Sequence, residues 1–398
     1  MGTTLAVLIG VGLTAALLLW PRLRRADGWK ATVTPLASII GSGFLVLGPV
    51  LDDNFGVWAP LVMATLCLVA YGFGAAIRFN IARIDTDPPR HARTEQVETL
   101  AAWALALAYV ISVAYYLNLF GAFATSLWPD APDSAARWVT TLIYGVILAA
   151  ALFGGFRALE GMEQTSVGIK LAIIAGLLAG LALHFGQQAS TGNLVINPAV
   201  ATGWGAVTLA FGLIVTVQGF ETSRYLGNTY SAEMRIRSMR WAQWLSAGIY
   251  MAYISLLVFL FPAGKVPLSE TAIIDMMGLV APVLPPLLIA AALSAQFSAA
   301  VADTGGAGGL VQELTSGRVR PLQGYTLLIG AGLVLTWAAD VFQIIAIASR
   351  AFAVYYGLQA GIAALSALNQ RQVALAAGFG LLAGLGFVIA IFGQAVEG

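Results

Sequence analysis

The stretch IIGSGFLVLGP, residues 39–49, interrupts an apolar segment with two glycines and a serine near its middle. A second stretch, VQGFETSRYLGN (217–228), interrupts another apolar segment, and there Gly219 lies between Gln218 and Phe220. Glycine adopts backbone conformations that end a helix, so we expect both segments to be helices broken near their midpoints. Unwound backbone would expose N–H and C=O groups that can bind ions or polar solutes. For either segment alone, close helix packing by small residues is the alternative interpretation.

The composition predicts the class of protein in which such breaks occur. Of 398 residues, 59% are hydrophobic and only 10% are charged, whereas soluble domains have about 25% charged residues. Apolar segments of about 18 residues or more predict membrane-spanning helices. Twelve are present, at about 3–20, 31–51, 57–79, 97–127, 138–156, 164–185, 203–226, 239–262, 283–312, 322–338, 341–366 and 373–394. We therefore predict an all-α polytopic membrane protein with about twelve transmembrane helices.

The twenty Lys and Arg residues predict the orientation, because cytoplasmic loops carry an excess of positive charge. With the N-terminus outside, sixteen of them fall on the cytoplasmic side, only Arg137 and Lys265 fall outside, and Lys170 and Arg350 lie within helices. An even number of spans returns the C-terminus to the outside. The basic cluster at 22–25 follows the first apolar segment, which favours a retained helix over a signal peptide. We expect a multi-pass protein of the cell membrane, the inner membrane if the source is bacterial.

The two interrupted segments are five spans apart, and this spacing predicts the domain organisation. Residues 31–185 and 203–366 would form two five-helix repeats, preceded by an extra transmembrane helix and basic linker (1–30) and followed by a final helix (373–394). Glycine-interrupted helices at matching places in two halves favour a transporter with its site near the membrane midplane. The connections between spans are too short to form a separate soluble domain.

Three segments resemble one family. IIGSGFLVLGP is similar to the first core helix of the amino acid-polyamine-organocation (APC) superfamily, GFETSRYLGNTYSAEMRIRSMRWA (219–242) resembles its sixth, and VGIKLAIIAGLLAG (167–180) resembles its fifth. The resemblance covers about 31–394. It implies the sodium-symporter-like fold of two inverted five-helix repeats, in which the broken first and sixth core helices hold the substrate. The loop after the sixth core helix departs from the family's EEVKNP pattern, so an assignment to the best-known amino acid permeases does not follow.

The two breaks together predict a substrate site. The N–H groups at the start of the half-helix after the first break suit a carboxylate or other anion, and the carbonyl groups of the second break suit an ammonium. Tyr115 and Tyr116 are candidates to close over a bound solute, with aromatic packing as the alternative. The predicted site residues are Gly41, Ser42, Gly43, Phe44, Tyr115, Val217, Gln218, Gly219, Glu221 and Arg350.

Lys170 is a candidate coupling residue. In sodium-independent members of the resembled family, a lysine at this position stands where sodium would otherwise bind, with its ammonium on carbonyls of the first core helix. The alternative is that its side chain snorkels to the membrane surface.

Asp303 lies in AVADT (300–304), where the sodium-binding pattern of the resembled fold would use Ala300, Asp303 and Thr304, with an acid in place of one hydroxyl. Residues three and four apart share a helix face, so the carboxylate would meet either Lys170 or an external cation. A second polar face, with Gln296 and Ser298, leaves the register open. The following GGAGG favours close helix packing over a further break.

Arg350 lies about ten residues into its predicted helix, which places it roughly 15 Å deep in the membrane. An arginine at that depth rarely faces lipid. We expect it to bind an anionic substrate group, to pair with Glu221 or to form a gate with Asp303.

The residues give little support for an enzyme. The only histidines are His91 and His184, and there is no HExxH motif, Walker A motif or cysteine cluster. No cofactor is expected, and nucleic acid is not an expected partner, because the topology already explains the basic residues.

These observations predict a secondary transporter that moves an amino acid or similar small organic solute by alternating access, coupled to protons and not to sodium. Na⁺ and K⁺ are the alternative coupling ions. The alternatives are an inorganic cation transporter with Asp303 and Glu221 as ligands, and a transporter-like sensor.

Overall fold

The computed structural model describes residues 2–41, 43–84, 92–128, 130–132, 134–153, 163–227 and 229–396. Ser42, a predicted substrate-site residue, lies outside this set, as do Arg90, His91 and Arg157. The regular elements within it are all helical. They are α1 (Gly2–Leu19), α2 (Pro21–Arg25), α3 (Asp27–Ile39), α4 (Gly43–Phe55), α5 (Ala59–Ile84), α6 (Ala92–Thr125), α7 (Ala135–Leu152), α8 (Glu163–Ser190), α9 (Gly203–Gly212), α10 (Ala232–Leu257), α11 (Ala272–Val280), α12 (Leu284–Leu314), α13 (Pro321–Ala338), α14 (Val341–Asn369) and α15 (Val373–Phe392), with 3₁₀ segments at Gly56–Trp58, Ile214–Val217 and Phe220–Tyr225.

The prediction of an all-α polytopic membrane protein is confirmed. In the part of the chain that the structure describes, eight helical segments are long and apolar enough to cross a bilayer. Two other predicted spans contain helices that are cut short, because α3 and α9 end at the breaks. The helix α10 carries a polar first part with three arginines.

The first break lies where the glycines predict it. The helix α3 ends at Ile39, and the N–H of Ile40 donates to Leu36 O at 2.9 Å. A new helix, α4, begins at Gly43. The segment is therefore two half-helices that meet in the interior.

The second break is more extensive than predicted. After α9 ends at Gly212, the chain continues as the 3₁₀ segment Ile214–Val217 and then becomes extended at Gln218. Gly219 has φ +116°, and a second 3₁₀ segment, Phe220–Tyr225, follows. A single unwound point was expected, whereas most of this segment beyond α9 is not α-helical.

The remaining connections agree with the sequence in part. The α13–α14 hairpin is as tight as the predicted spans 322–338 and 341–366 imply, with only residues 339–340 between the helices. The GGAGG stretch lies inside the continuous helix α12, where Gly306 faces Tyr109, so its packing role is confirmed. The helix α11 was not predicted and lies in a stretch that we expected to be a loop. The two-repeat division stays a prediction.

Candidate functional site

The two breaks pack directly against each other. A Cβ atom built on Gly43 would lie 3.0 Å from both Cα and Cβ of Thr216. A Cβ atom built on Gly219 would lie 2.5 Å from Oγ and 2.6 Å from the carbonyl carbon of Ser38. The glycines therefore serve both roles that the sequence left open, because they permit the unwound backbone and the close approach of the two segments.

Tyr250 of α10 joins the breaks through its hydroxyl group. This group lies 3.0 Å from Ile39 O at the end of α3 and 2.5 Å from Thr216 O in the second break, so both carbonyl oxygens are within hydrogen-bond reach. The side chain is fully buried. Sequence reasoning missed Tyr250: a buried tyrosine needs a partner for its hydroxyl, but its spacing in the chain does not identify that partner.

Two tyrosines of α6 line the same region. The hydroxyl of Tyr115 lies 2.8 Å from a Cβ built on Gly43, so this predicted site residue is at the first break. Tyr116 accepts a hydrogen bond from Gln218 Nε2 at 3.1 Å and approaches Gly41. The amide oxygen of Gln218 is buried without a hydrogen-bond partner. The tyrosine pair therefore forms one wall of the site.

The Glu221 carboxylate is fixed by hydrogen bonds, one of them from the backbone N–H two residues before it. Its Oε2 accepts hydrogen bonds from Gly219 N at 3.0 Å and from Tyr356 Oη at 2.8 Å. Its Oε1 is buried without a hydrogen-bond partner. The residue is 1% exposed, so the carboxylate lies in the protein interior and not in water at the membrane surface. Glu221 stabilises the turn at Gly219 and leaves one acceptor oxygen for a donor.

Lys170 makes the contact that the family resemblance implies. Its Nζ donates to Ala37 O at 2.7 Å, and the residue is 5% exposed. Ala37 lies in the last turn of α3, where carbonyl groups lack intrahelical partners and the helix dipole is negative. The alternative of snorkelling to the membrane surface is therefore wrong.

Asp303 makes a hydrogen bond to α6, whereas its neighbours Ala300 and Thr304 make one to each other. Ser112 Oγ of α6 donates a short hydrogen bond to Asp303 Oδ2. Thr304 Oγ1 donates to Ala300 O within α12 at 2.6 Å. The three residues predicted as a sodium-like ligand set thus do not act as one group here, because the carboxylate contacts α6 while the other two bond to each other.

The predicted pairing of Lys170 with Asp303 is wrong for this conformation. The helices α8 and α12 run antiparallel, since Ser166 contacts Ser294 and a Cβ built on Gly180 would contact Leu284. From the Ser166–Ser294 contact, Lys170 is four residues away in one direction and Asp303 nine residues away in the other. At 1.5 Å per residue this offsets their Cα positions by about 20 Å along the helix axes. The two side chains bond instead to Ala37 O and to Ser112 Oγ.

Arg350 also differs from its prediction. Its side chain is exposed, and Nε donates to Ala390 O at 2.8 Å. Ala390 lies in the last turn of α15, where a cation satisfies a free carbonyl and complements the helix dipole. Arg350 therefore contacts the end of the last helix, and among the described residues it forms no ion pair with Glu221 or Asp303.

The preceding residue, Ser349, reaches the second break instead. Its hydroxyl donates to Gly212 O at 2.6 Å and accepts from Val215 N at 3.1 Å. One residue along a helix turns the side chain by about 100°, which explains the difference. The position of Arg350 within its apolar segment identified the correct turn of α14. The residue of that turn that faces inward is Ser349 and not Arg350.

The first prediction tests this placement of Arg350. Arg350→Gln is expected to leave solute affinity unchanged within about twofold and to lower the free energy of unfolding by at most about 1 kcal/mol, since only a helix-end contact is lost. Uptake competition and thermal unfolding measure the two effects. A tenfold loss of affinity at unchanged stability would show that Arg350 belongs to the site.

A polar cluster closes one end of the second broken segment, and we call it the Arg224 cluster (Asn80, Glu98, Arg224 and Gln359). Arg224 forms a short ion pair with Glu98 of α6 and donates to Gln359 Oε1 of α14 at 2.7 Å. Asn80 of α5 donates to the same Gln359 oxygen at 2.9 Å. Sequence reasoning missed this cluster, because charges at helix ends were interpreted only as signals of topology.

A polytopic helical protein with two broken helices in contact in its interior has the architecture of a secondary transporter. Comparison with known proteins agrees. A family model described as "APC superfamily transporter" matches residues 21–393, and the chain belongs to this superfamily. It is also 40% identical over 389 residues to an "Uncharacterized protein" of Aquifex aeolicus (strain VF5), covering 95% of this chain and 93% of that protein. The predicted superfamily is confirmed, and the match points to a transporter rather than an enzyme.

Proposed function

We propose that this transporter moves an amino acid or a similar small organic solute by alternating access. The observation that carries the proposal is the contact between the two breaks, with different chemistry on each side. The start of α4 at Gly43 and Phe44 presents the positive end of a helix dipole, which suits a carboxylate. Gln218 Oε1 and Glu221 Oε1 are buried acceptors without hydrogen-bond partners, which suits an ammonium. A zwitterion satisfies both sides.

Lys170 supports coupling to protons rather than to sodium. Its ammonium on Ala37 O occupies the end of α3, and a covalently attached cation needs no sodium ion to neutralise those carbonyls. A lysine or carboxylate whose surroundings change as the site opens to either side can release and rebind a proton. Asp303, held by Ser112, is the second candidate for this exchange.

Uptake into proteoliposomes tests the proposal. A panel of labelled amino acids, organic amines and inorganic cations is offered with an imposed pH gradient, and sodium is replaced by choline. We expect accumulation of at least one amino acid that depends on the pH gradient and not on sodium. Transport of inorganic cations alone would favour the alternative in which Asp303 and Glu221 are ion ligands, and strict sodium dependence would overturn the coupling.

The second prediction concerns Lys170→Met, which keeps most of the side-chain length but removes the charge. We expect uptake to fall at least tenfold and sodium not to restore it, because the methionine leaves Ala37 O without its donor and removes the exchangeable proton. The matched control is Lys265→Met, since Lys265 is exposed and we expect no change. Uptake that becomes sodium-dependent in Lys170→Met would show that a sodium site persists beside the lysine.

A further inference from the structure

Gln296 of α12 is a buried amide that the site described so far does not use. The residue is 0% exposed, and both Oε1 and Nε2 lack a hydrogen-bond partner. Most buried polar side-chain atoms in native proteins have a partner. A side chain with two unsatisfied polar atoms therefore indicates an occupant that the protein alone does not supply.

The register of α6 against α12 gives the position of Gln296. The two helices are antiparallel, since Ser112 bonds Asp303 while Tyr109 faces Gly306. Gln296 lies seven residues before Asp303, so it shares the face of α12 that packs on α6. The same distance along α6 from Ser112 passes the tyrosine pair and ends at Leu119. Gln296 therefore lies at the height of Leu119, about one helical turn from the tyrosines that contact the breaks.

The unsatisfied atoms of Gln296 and of the second break differ in their chemistry. The second break contributes two acceptors, Gln218 Oε1 and Glu221 Oε1. The amide of Gln296 both donates and accepts. A single occupant that satisfies all of them needs a donor group at one end and a group that both accepts and donates at the other. An amino acid with a hydroxyl or carboxamide side chain has this arrangement.

We propose that Gln296 recognises the side chain of the solute and makes the transporter selective for neutral polar amino acids; this inference rests on the proposed function. An aliphatic side chain would leave both amide atoms unsatisfied. A carboxylate would leave the amide oxygen unsatisfied, and an ammonium would leave the amide N–H groups unsatisfied. Sites that hydrogen-bond a substrate group discriminate strongly against analogues that lack the group, because the site's own polar atoms are then left unpaired.

The third prediction compares the wild type with Gln296→Leu in proteoliposomes. Unlabelled serine, threonine, asparagine and glutamine compete against labelled alanine, alongside unlabelled alanine, valine and leucine. In the wild type we expect the polar set to compete at least tenfold better than the apolar set. In Gln296→Leu the polar set should lose at least tenfold in apparent affinity, while the apolar set stays within threefold.

Two further variants keep the test decisive. Ser298→Ala lies two residues away on another face of α12 and should leave the selectivity unchanged. Gln296→Asn keeps the amide on a shorter side chain, so this variant should bind glutamine more tightly than asparagine. It tests the role of the amide even where Gln296→Leu fails to fold. Unchanged selectivity in folded Gln296→Leu overturns the inference, because that result is expected for an amide that only binds water. An equal loss of apparent affinity for every solute overturns it as well. A wild type that transports no amino acid overturns the proposed function itself.

Discussion

Gly219→Ala is expected to reduce uptake at least a hundredfold, which corresponds to about 2.7 kcal/mol. Gly219 has φ +116°, outside the range that other residues adopt without strain, and such strain costs about 1–3 kcal/mol. The new methyl group would also lie 2.5 Å from Ser38 Oγ and 2.6 Å from the carbonyl carbon of Ser38. The two breaks would have to separate, and the acceptors that Gln218 and Glu221 place beside them would move apart.

The control for this substitution lies on the same broken segment. Gly205 is helical, and a Cβ built there has no atom within 4 Å. Gly205→Ala should therefore keep uptake and raise stability by about 0.5–1 kcal/mol, the usual gain for alanine over glycine in a helix. Uptake assays and thermal unfolding of both variants test whether the two breaks must be in contact for transport. Normal uptake by Gly219→Ala would mean that contact between the breaks is not required for transport.

The helix breaks illustrate how much of the fold the sequence contains. Glycines amid long apolar segments predicted both breaks, because a helix in the membrane rarely unwinds without residues that tolerate it. The 3₁₀ form of Phe220–Tyr225 was not predictable, since it depends on contacts from other helices. Tyr356 of α14 bonds the Glu221 carboxylate, and Ser349 of the same helix bonds backbone groups in the approach to the break. Local sequence does not encode these partners.

The candidate site shows the corresponding limit. The contact of Lys170 with the first core helix followed from the family resemblance, and the structure contains it. The pairing of Lys170 with Asp303 and the inward position of Arg350 both depended on register and rotation between helices. A single sequence does not contain these, because each residue of shift moves a side chain by about 1.5 Å and 100°. Tyr250 and Gln296 were not placed in the site for the same reason.

The prediction for the Arg224 cluster concerns the transport cycle. The side chain of Arg224 is 6% exposed and that of Glu98 is 25% exposed, and their ion pair ties the end of the second broken segment to α6. Breaking a buried pair by removing one partner costs about 3–5 kcal/mol. We expect the lower end, about 3 kcal/mol, for Glu98→Gln, because Arg224 keeps its bond to Gln359. If the pair forms only while this end is closed, the open state should gain about a hundredfold in population.

Cysteine labelling measures that shift directly. Cys67 is the only cysteine, so Cys67→Ala provides a background for Ser223→Cys, a near-isosteric change at a fully buried position beside Arg224. A membrane-impermeant maleimide should label this cysteine slowly in the background and much faster with Glu98→Gln. The labelling should occur from the side that the positive charges predict to be cytoplasmic. Glu233→Gln, at an exposed acid near the start of α10, is the control and should leave the rate unchanged.

The double variant Glu98→Gln/Arg224→Gln separates gating from folding. Glu98→Gln alone leaves a buried guanidinium without its counter-charge, whereas the double variant removes both charges and their desolvation cost. Its stability should therefore return to within about 1 kcal/mol of the wild type, while labelling at position 223 stays fast because the pair that closes this end is gone. Stability losses that simply add, or slow labelling in both variants, would show that the Glu98–Arg224 pair does not hold this end closed and that other contacts close it.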